Sequence, residues 1–163
     1  MNRLGITLTL VLGLGLSACS SQPETPIASA PKAQTVMPSV SGPLTQAPVI
    51  SKPSGPAPSG LQMSDVVTGT GTEVVSTSTV TVQYLGLSWS DGQTFDSSWQ
   101  RGQAATFGLN QVIVGWQQGL LGMKIGGRRL IVIPPDMGYG AAGTGSIKPN
   151  ETLVFVVDLL AVK

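Results

Sequence analysis

Every aromatic residue of the chain lies after Gly60: Tyr84, Trp89, Phe95, Trp99, Phe107, Trp116, Tyr139 and Phe155. Nine of the twelve prolines lie before it, between Ser20 and Gly60, with eleven Ser or Thr residues and only three charges, Glu24, Lys32 and Lys52. Core formation needs large apolar side chains, so it is confined to residues 61–163, a length that supports one self-sufficient domain. Residues 20–60 lack the apolar surface that offsets chain entropy and are expected to be disordered or polyproline-like. Fully extended at about 3.1 Å per residue, such a tether would reach on the order of 120 Å. No P-x-x-P run with flanking Arg marks it as a docking peptide, which leaves a passive spacer as the simpler reading.

Met1-Asn2-Arg3 carries one side-chain positive charge, and thirteen mostly apolar residues, Leu4 to Leu16, follow before Ser17-Ala18-Cys19. A helix needs about 20 residues to cross a bilayer core. The shorter run fits the apolar region of a secretory signal, the alternative being a buried N-terminal helix with an incidental Cys. Leu16-Ser17-Ala18-Cys19 resembles the bacterial lipobox. That resemblance implies a signal peptide of residues 1–18 and a mature chain lipidated on Cys19, with residues 19–60 as the lipidated N-terminus and tether. Two acyl chains, at about 0.8 kcal/mol per buried methylene, anchor a protein stably. The expected location is therefore outside the cytoplasm, at the outer face of the cell membrane, or at an outer membrane if the organism has one. Lipidation also accounts for a lone Cys in an exported chain.

The rest of the composition excludes much chemistry. There is no histidine and a single Cys, so Ser–His–Asp and Cys–His nucleophile systems, His-ligated metals, intrachain disulfides and Cys-rich zinc sites are all excluded. No metal and no cofactor is expected. Only 10% of residues are charged and the formal net charge is +1, which leaves no basic stripe for nucleic acid. Gly69-Thr70-Gly71 lacks the further Gly, Lys and helix of a phosphate loop and reads as a turn. Asp91 and Asp96 make a poor glycosidase pair, because Asp91 is explained by a turn and no second acid stands out as its partner.

Within residues 61–163 the pattern is mainly strand. Val80, Val82 and Tyr84 alternate, and then Leu85, Leu87 and Trp89 take the other parity, as a bulged or twisted strand would. Ser90-Asp91-Gly92-Gln93 is expected to be a type I′ hairpin turn. Arg128–Ile133 is a strand stopped by Pro134-Pro135, and Thr152–Leu160 is the last strand, with Leu153, Phe155, Val157 and Leu159 on one face. A short helix is expected over 115–121, with Trp116 and Leu120 one turn apart and facing the sheet. One helix against an antiparallel sheet is an α+β arrangement. Phe95-Asp96, Val112-Ile113 and Tyr139 fall where local structure exposes at least some of them, and together they would line an apolar hollow suited to a small ligand.

Val82-Gln83-Tyr84-Leu85-Gly86, Asp91-Gly92-Gln93-Thr94-Phe95-Asp96-Ser97-Ser98, Gln111-Val112-Ile113-Val114-Gly115-Trp116, Gly119-Leu120-Leu121-Gly122-Met123, Ile133-Pro134-Pro135, Tyr139-Gly140 and Thr152-Leu153-Val154-Phe155 carry a wider likeness. In order and spacing they resemble the FKBP-type peptidyl-prolyl cis-trans isomerases, from about Leu61 to Lys163. The resemblance implies a twisted antiparallel sheet wrapped around one short helix. It also implies an isomerase that assists the folding of exported proteins, acting on proline-containing polypeptides and open to macrolides such as rapamycin. A non-catalytic prolyl-peptide binding or chaperone module on the same anchor is the alternative, and a monomer is the default. Carried over by position, Asp96, Tyr139, Ile113, Trp116 and Tyr84 would be the catalytic set, with Trp116 as the floor under the proline ring. The Ile113 N–H and the Tyr139 hydroxyl would hold two substrate carbonyls, and Asp96 would orient the twisted amide without carrying a proton. Phe95, Val112, Gln111, Ile147 and Phe155 would complete the substrate site. Three departures from the family pattern bear on substrate preference and macrolide affinity: Ala105 replaces an aromatic of some members, Gln111 replaces an acid of some members, and the Tyr139–Phe155 loop is short, with Ser146 and Lys148 at positions often apolar or proline.

Overall fold

A computed structural model describes residues 35–163. The expected signal peptide, Cys19 and the first part of the expected tether lie outside the described residues. β4 (Thr79–Ser88) and β8 (Leu153–Val162) pair antiparallel from Ser88↔Leu153 to Val80↔Val162 at the centre of a six-stranded sheet. β7 (Arg128–Ile133) flanks β8, and β3 (Gln62–Val67) forms the edge beyond it. The other edge of β4 serves two short strands in turn, β6 (Ala105–Gly108) along Thr79–Val82 and β5 (Thr94–Ser97) along Leu85–Leu87. Every pairing is antiparallel.

The helix expected over 115–121 is α1 (Val114–Gly119), with Trp116 and Leu120 both buried. It lies close against β7, because a Cβ on Gly115 would fall within the Ile133 side chain. Only glycine permits that approach. Around the helix face gather Val80, Val82 and Tyr84 of β4, Ile131 and Ile133 of β7, and Leu153, Phe155, Val157 and Leu159 of β8. The α+β expectation of a sheet around one short helix is met.

Leu85, Leu87, Trp89, Leu130, Val132, Val154 and Val156 form a second apolar cluster with Met37, Val40 and Ile50. This corrects the reading of β4. Tyr84 and Leu85 are successive residues on opposite faces of one strand, as strand geometry requires. Both parities are apolar because both faces are covered. The register shifts fall elsewhere, between Thr81 and Val82 against β8 and between Gly86 and Leu87 against β5.

The cover is the second correction. Disorder was expected from Ser20 through Gly60, but residues 35–60 have a defined structure. β1 (Val40–Ser41) and β2 (Val49–Ile50) pair with each other, and Pro38, Pro48 and Pro53 are buried. Arg128, fully buried, is paired with Asp158 at 2.5 and 2.6 Å. The same guanidinium donates to the carbonyls of Gly42 at 2.8 Å and Gln46 at 3.0 Å, so the arm completes its hydrogen bonding. Trp89 Nε1 donates to the Gly55 carbonyl at 3.2 Å.

The turn before β5 also departs from expectation. Within Ser90–Gln93 only Gly92 has positive φ, 73°, whereas type I′ needs two such residues. The Gly92 N–H reaches back to Ser88 O at 2.8 Å, and Asp91 Oδ1 accepts from the Gln93 N–H at 2.9 Å. Asp91 thus holds the turn through its side chain.

Candidate functional site

Inward-facing β4 positions and the paired β5 bring Tyr84 and Asp96 together. The Tyr84 hydroxyl donates to Asp96 Oδ2 at 2.5 Å. Its backbone is fixed from behind, where the Tyr84 N–H donates to Oγ of the fully buried Ser98 at 2.8 Å. Arg101, in the turn after β5, donates to Asp96 Oδ1 and, through Nη2, to the Tyr84 hydroxyl at 2.8 Å. Its guanidinium carbon lies 5.5 Å from the Tyr84 ring centroid. Burial pushes the Asp96 carboxyl up, but the hydrogen bonds from Tyr84 and Arg101 outweigh it and hold the group below the ordinary carboxylate value. The Tyr84 phenol is raised, by burial first and then by its bond to Asp96, against the pull of Arg101. Near neutrality Asp96 is therefore the anionic acceptor and Tyr84 the protonated donor of this pair.

Trp116 stands edge-on to three rings, with centroids 5.3 Å from Tyr84, 5.7 Å from Phe107 and 5.3 Å from Phe155. Phe95 meets Phe155 edge-on at 5.4 Å. Such contacts add to area burial and fix ring orientation. The buried Trp116 Nε1 has no hydrogen-bond partner among the described residues.

These rings surround a cavity of about 370 Å³, lined by Tyr84, Phe95, Asp96, Phe107, Gln111, Val112, Ile113, Trp116, Tyr139 and Phe155. Ile113 is the N-cap of α1, and its peptide unit is held on both sides. The Ile113 carbonyl accepts from the N–H groups of Trp116 and Gln117, at 2.9 and 3.1 Å. The Val112 carbonyl accepts from Gln117 Nε2 at 2.8 Å. Between these anchors the Ile113 N–H donates to no protein group among the described residues. Tyr139 lines the cavity and is 39% exposed, and its hydroxyl takes part in no side-chain hydrogen bond among the described residues. The wall is mostly apolar and aromatic, with Asp96 and Gln111 among its lining, and beside it stand two donors without a protein partner among the described residues.

Nine of the ten residues expected at the site line this cavity. The exception is Ile147. A tight turn, closed by Thr144 N–H to Ile147 O at 3.0 Å and Ile147 N–H to Thr144 O at 2.8 Å, places its side chain in the inner core at 8% exposure. Two residues were missed. Phe107 shares a β6 face with Ala105, and alternation along that strand was the signal that could have found it. Arg101 joins the site through a loop, and no periodicity points to it.

The family model for FKBP-type peptidyl-prolyl cis-trans isomerases matches residues 71–160. A probable FK506-binding protein of Corynebacterium glutamicum is 47% identical over 114 residues, 70% of this chain and 97% of the relative. An FK506-binding protein of Streptomyces anulatus is 46% identical, covering 71% of this chain and 96% of the relative. The crystal structure of FkpA from Escherichia coli superposes with a TM-score of 0.61 at 45% identity, over 64% of this chain and 48% of that one. A sheet closed on one helix, a ring-lined cavity and matches of this extent place the chain in the family of FKBP-type peptidyl-prolyl cis-trans isomerases.

Proposed function

We propose that the cavity over Trp116 receives the proline ring of an extended or turn-forming polypeptide and eases its preceding amide through the twisted state. No bond is broken in this reaction. The obstacle is amide resonance, a barrier of about 18–20 kcal/mol, while the two isomers of an Xaa-Pro bond differ by only about 0.5–1 kcal/mol. A twisted amide has lost much of its charge separation. It therefore loses less than the planar amide on leaving water for an apolar cavity, and the cavity binds the transition state better than the ground state. The Ile113 N–H and the Tyr139 hydroxyl would hold the flanking carbonyls, with Asp96 as the nearby fixed charge. A macrolide of the kind two relatives are named for binding would compete for the same space.

The observation that carries this reading is the pairing of a ring-lined, mostly apolar cavity with two donors that have no protein partner among the described residues. The test is exchange spectroscopy on a short Xaa-Pro peptide with the full chain. Exchange is expected to speed up, and Tyr139→Phe and Asp96→Ala each to slow it by about three- to tenfold, the value of one hydrogen bond or more. Peptide binding without faster exchange would favour the binding-module reading instead.

We place this activity at a membrane surface, on exported polypeptides, through lipid on Cys19. What supports it is the apolar leader ending in Leu16-Ser17-Ala18-Cys19. Loss of lipid labelling in Cys19→Ala is the expected result, and its persistence would remove the anchor.

A further inference from the structure

Tyr139 sits on the connection between Gly138 and Thr152, whose middle is anchored in the core by Ile147. At the far end of that connection lies Glu151, only 6% exposed. Its two oxygens accept from the Ser90 N–H at 2.9 Å and the Ser90 Oγ at 2.7 Å. A buried carboxylate needs such donors, and both come from the turn between β4 and β5. The residue before it, Asn150, has φ 56°, the one positive value among described non-glycine residues. A backbone so placed persists where its surroundings enforce it. The Asn150 N–H donates to the Gly140 carbonyl at 3.0 Å, and the Gly140 N–H donates to Pro135 O at 2.8 Å. Gly140 directly follows Tyr139. A short mechanical chain thus runs from Ser90 through Glu151, Asn150 and Gly140 to Tyr139.

We propose that Glu151 is a positioning residue for the isomerase site: by clamping the end of the loop to Ser90 it sets where the Tyr139 hydroxyl meets the substrate. The inference rests on the reading above in which that hydroxyl holds a substrate carbonyl. Asp91 and Lys148, paired at 2.7 Å, join the same turn and loop through solvent. Exposed pairs contribute little, so of the two links between this turn and the loop the buried Glu151 is the stronger clamp.

The test is a double-mutant cycle on the full chain, with KM and kcat for an Xaa-Pro peptide measured by exchange spectroscopy. A hydrogen bond made alike to planar and twisted substrate appears in KM, so Glu151→Ala should raise KM by about three- to tenfold and leave kcat within about twofold. Glu151→Gln, which keeps one acceptor oxygen, should recover part of the loss. In a Tyr139→Phe background Glu151→Ala should add nothing, because the two act through one contact. An unchanged KM in Glu151→Ala, or the same rise with and without the Tyr139 hydroxyl, overturns the proposal and leaves the pocket reading standing. If Tyr139→Phe alone leaves KM unchanged, the reading of that hydroxyl falls, and the role of Glu151 falls with it. Should Glu151→Ala fold poorly, Ser90→Ala removes only the hydroxyl donor and gives a smaller rise that must also vanish beside Tyr139→Phe.

Discussion

The two faces of the central sheet solve the problem of burial in opposite ways. On one face β4, β7 and β8 meet a helix whose Trp116 and Leu120 are large and apolar, and the leftover space between rings becomes the cavity. On the other face the same strands are covered by a proline-rich arm with few large side chains, of which Met37, Val40 and Ile50 reach the cluster. The arm could not fold alone. It holds its place through a pre-formed apolar surface, through the backbone carbonyls it offers to Arg128 and Trp89, and through prolines that carry little conformational entropy to lose. Composition measures whether a segment can build its own core; it does not measure whether a neighbour already supplies one.

Removing the arm gives the sharpest test of this contrast. Deletion of residues 36–57 would expose Leu87, Trp89, Leu130, Val132, Val154 and Val156 and would leave Arg128 without its carbonyl partners. From the apolar area uncovered and the hydrogen bonds lost, the expected cost is roughly 3–6 kcal/mol of unfolding free energy. Urea unfolding of the full and deleted chains would read it directly. An unchanged midpoint would mean that the arm lies on the sheet without supporting it.

The pocket face should respond more sharply to a single atom. A Cβ at Gly86 would come within 2.7 Å of the Phe95 ring and 2.9 Å of the Phe155 ring. Phe95 packs edge-on against Phe155, and Phe155 against Trp116, so Gly86→Ala is expected to cost about 1–3 kcal/mol in stability through overpacking. It should also slow peptide exchange by about tenfold or more, because misplaced groups cost rate steeply. A variant as stable and as active as the parent would show that the wall is softer than its close packing indicates.

Legibility in the sequence follows the same division. The helix face could be read because its signals are local: alternation along Leu153, Phe155, Val157 and Leu159, and the one-turn spacing of Trp116 and Leu120. Tyr84, Phe95, Trp116 and Phe155 lie on regular elements, so their convergence follows once those elements pair. The parity switch after Tyr84 was visible, but its meaning depended on a cover that no local pattern announces. Arg101 and Glu151 were out of reach for a related reason. Each is a charged residue in a loop, and its role comes from a partner brought near only by the folded chain, Asp96 five residues before Arg101 and Ser90 sixty-one residues before Glu151.

The smallest expected effect concerns pH, and it bears on the pocket face alone. Asp96 is held below its ordinary value, so it stays ionised in the folded protein to lower pH than in the unfolded chain. Its contribution is complete above the unfolded carboxylate value, about 4, and is lost only as pH falls through the lower folded value. Tyr84 is shifted upward from its ordinary value, so its proton stays in place well into the alkaline range. With no histidine in the chain, and with Asp96 shifted down and Tyr84 shifted up, neither of these two groups changes charge between about pH 5 and 9. The exchange rate on an Xaa-Pro peptide, followed by exchange spectroscopy, should therefore vary by less than about twofold across that window and decline only on the acid side. A midpoint inside it would show that Asp96 or Tyr84 takes part as a proton carrier, and the catalytic role of the cavity would have to be rebuilt around proton transfer in place of desolvation.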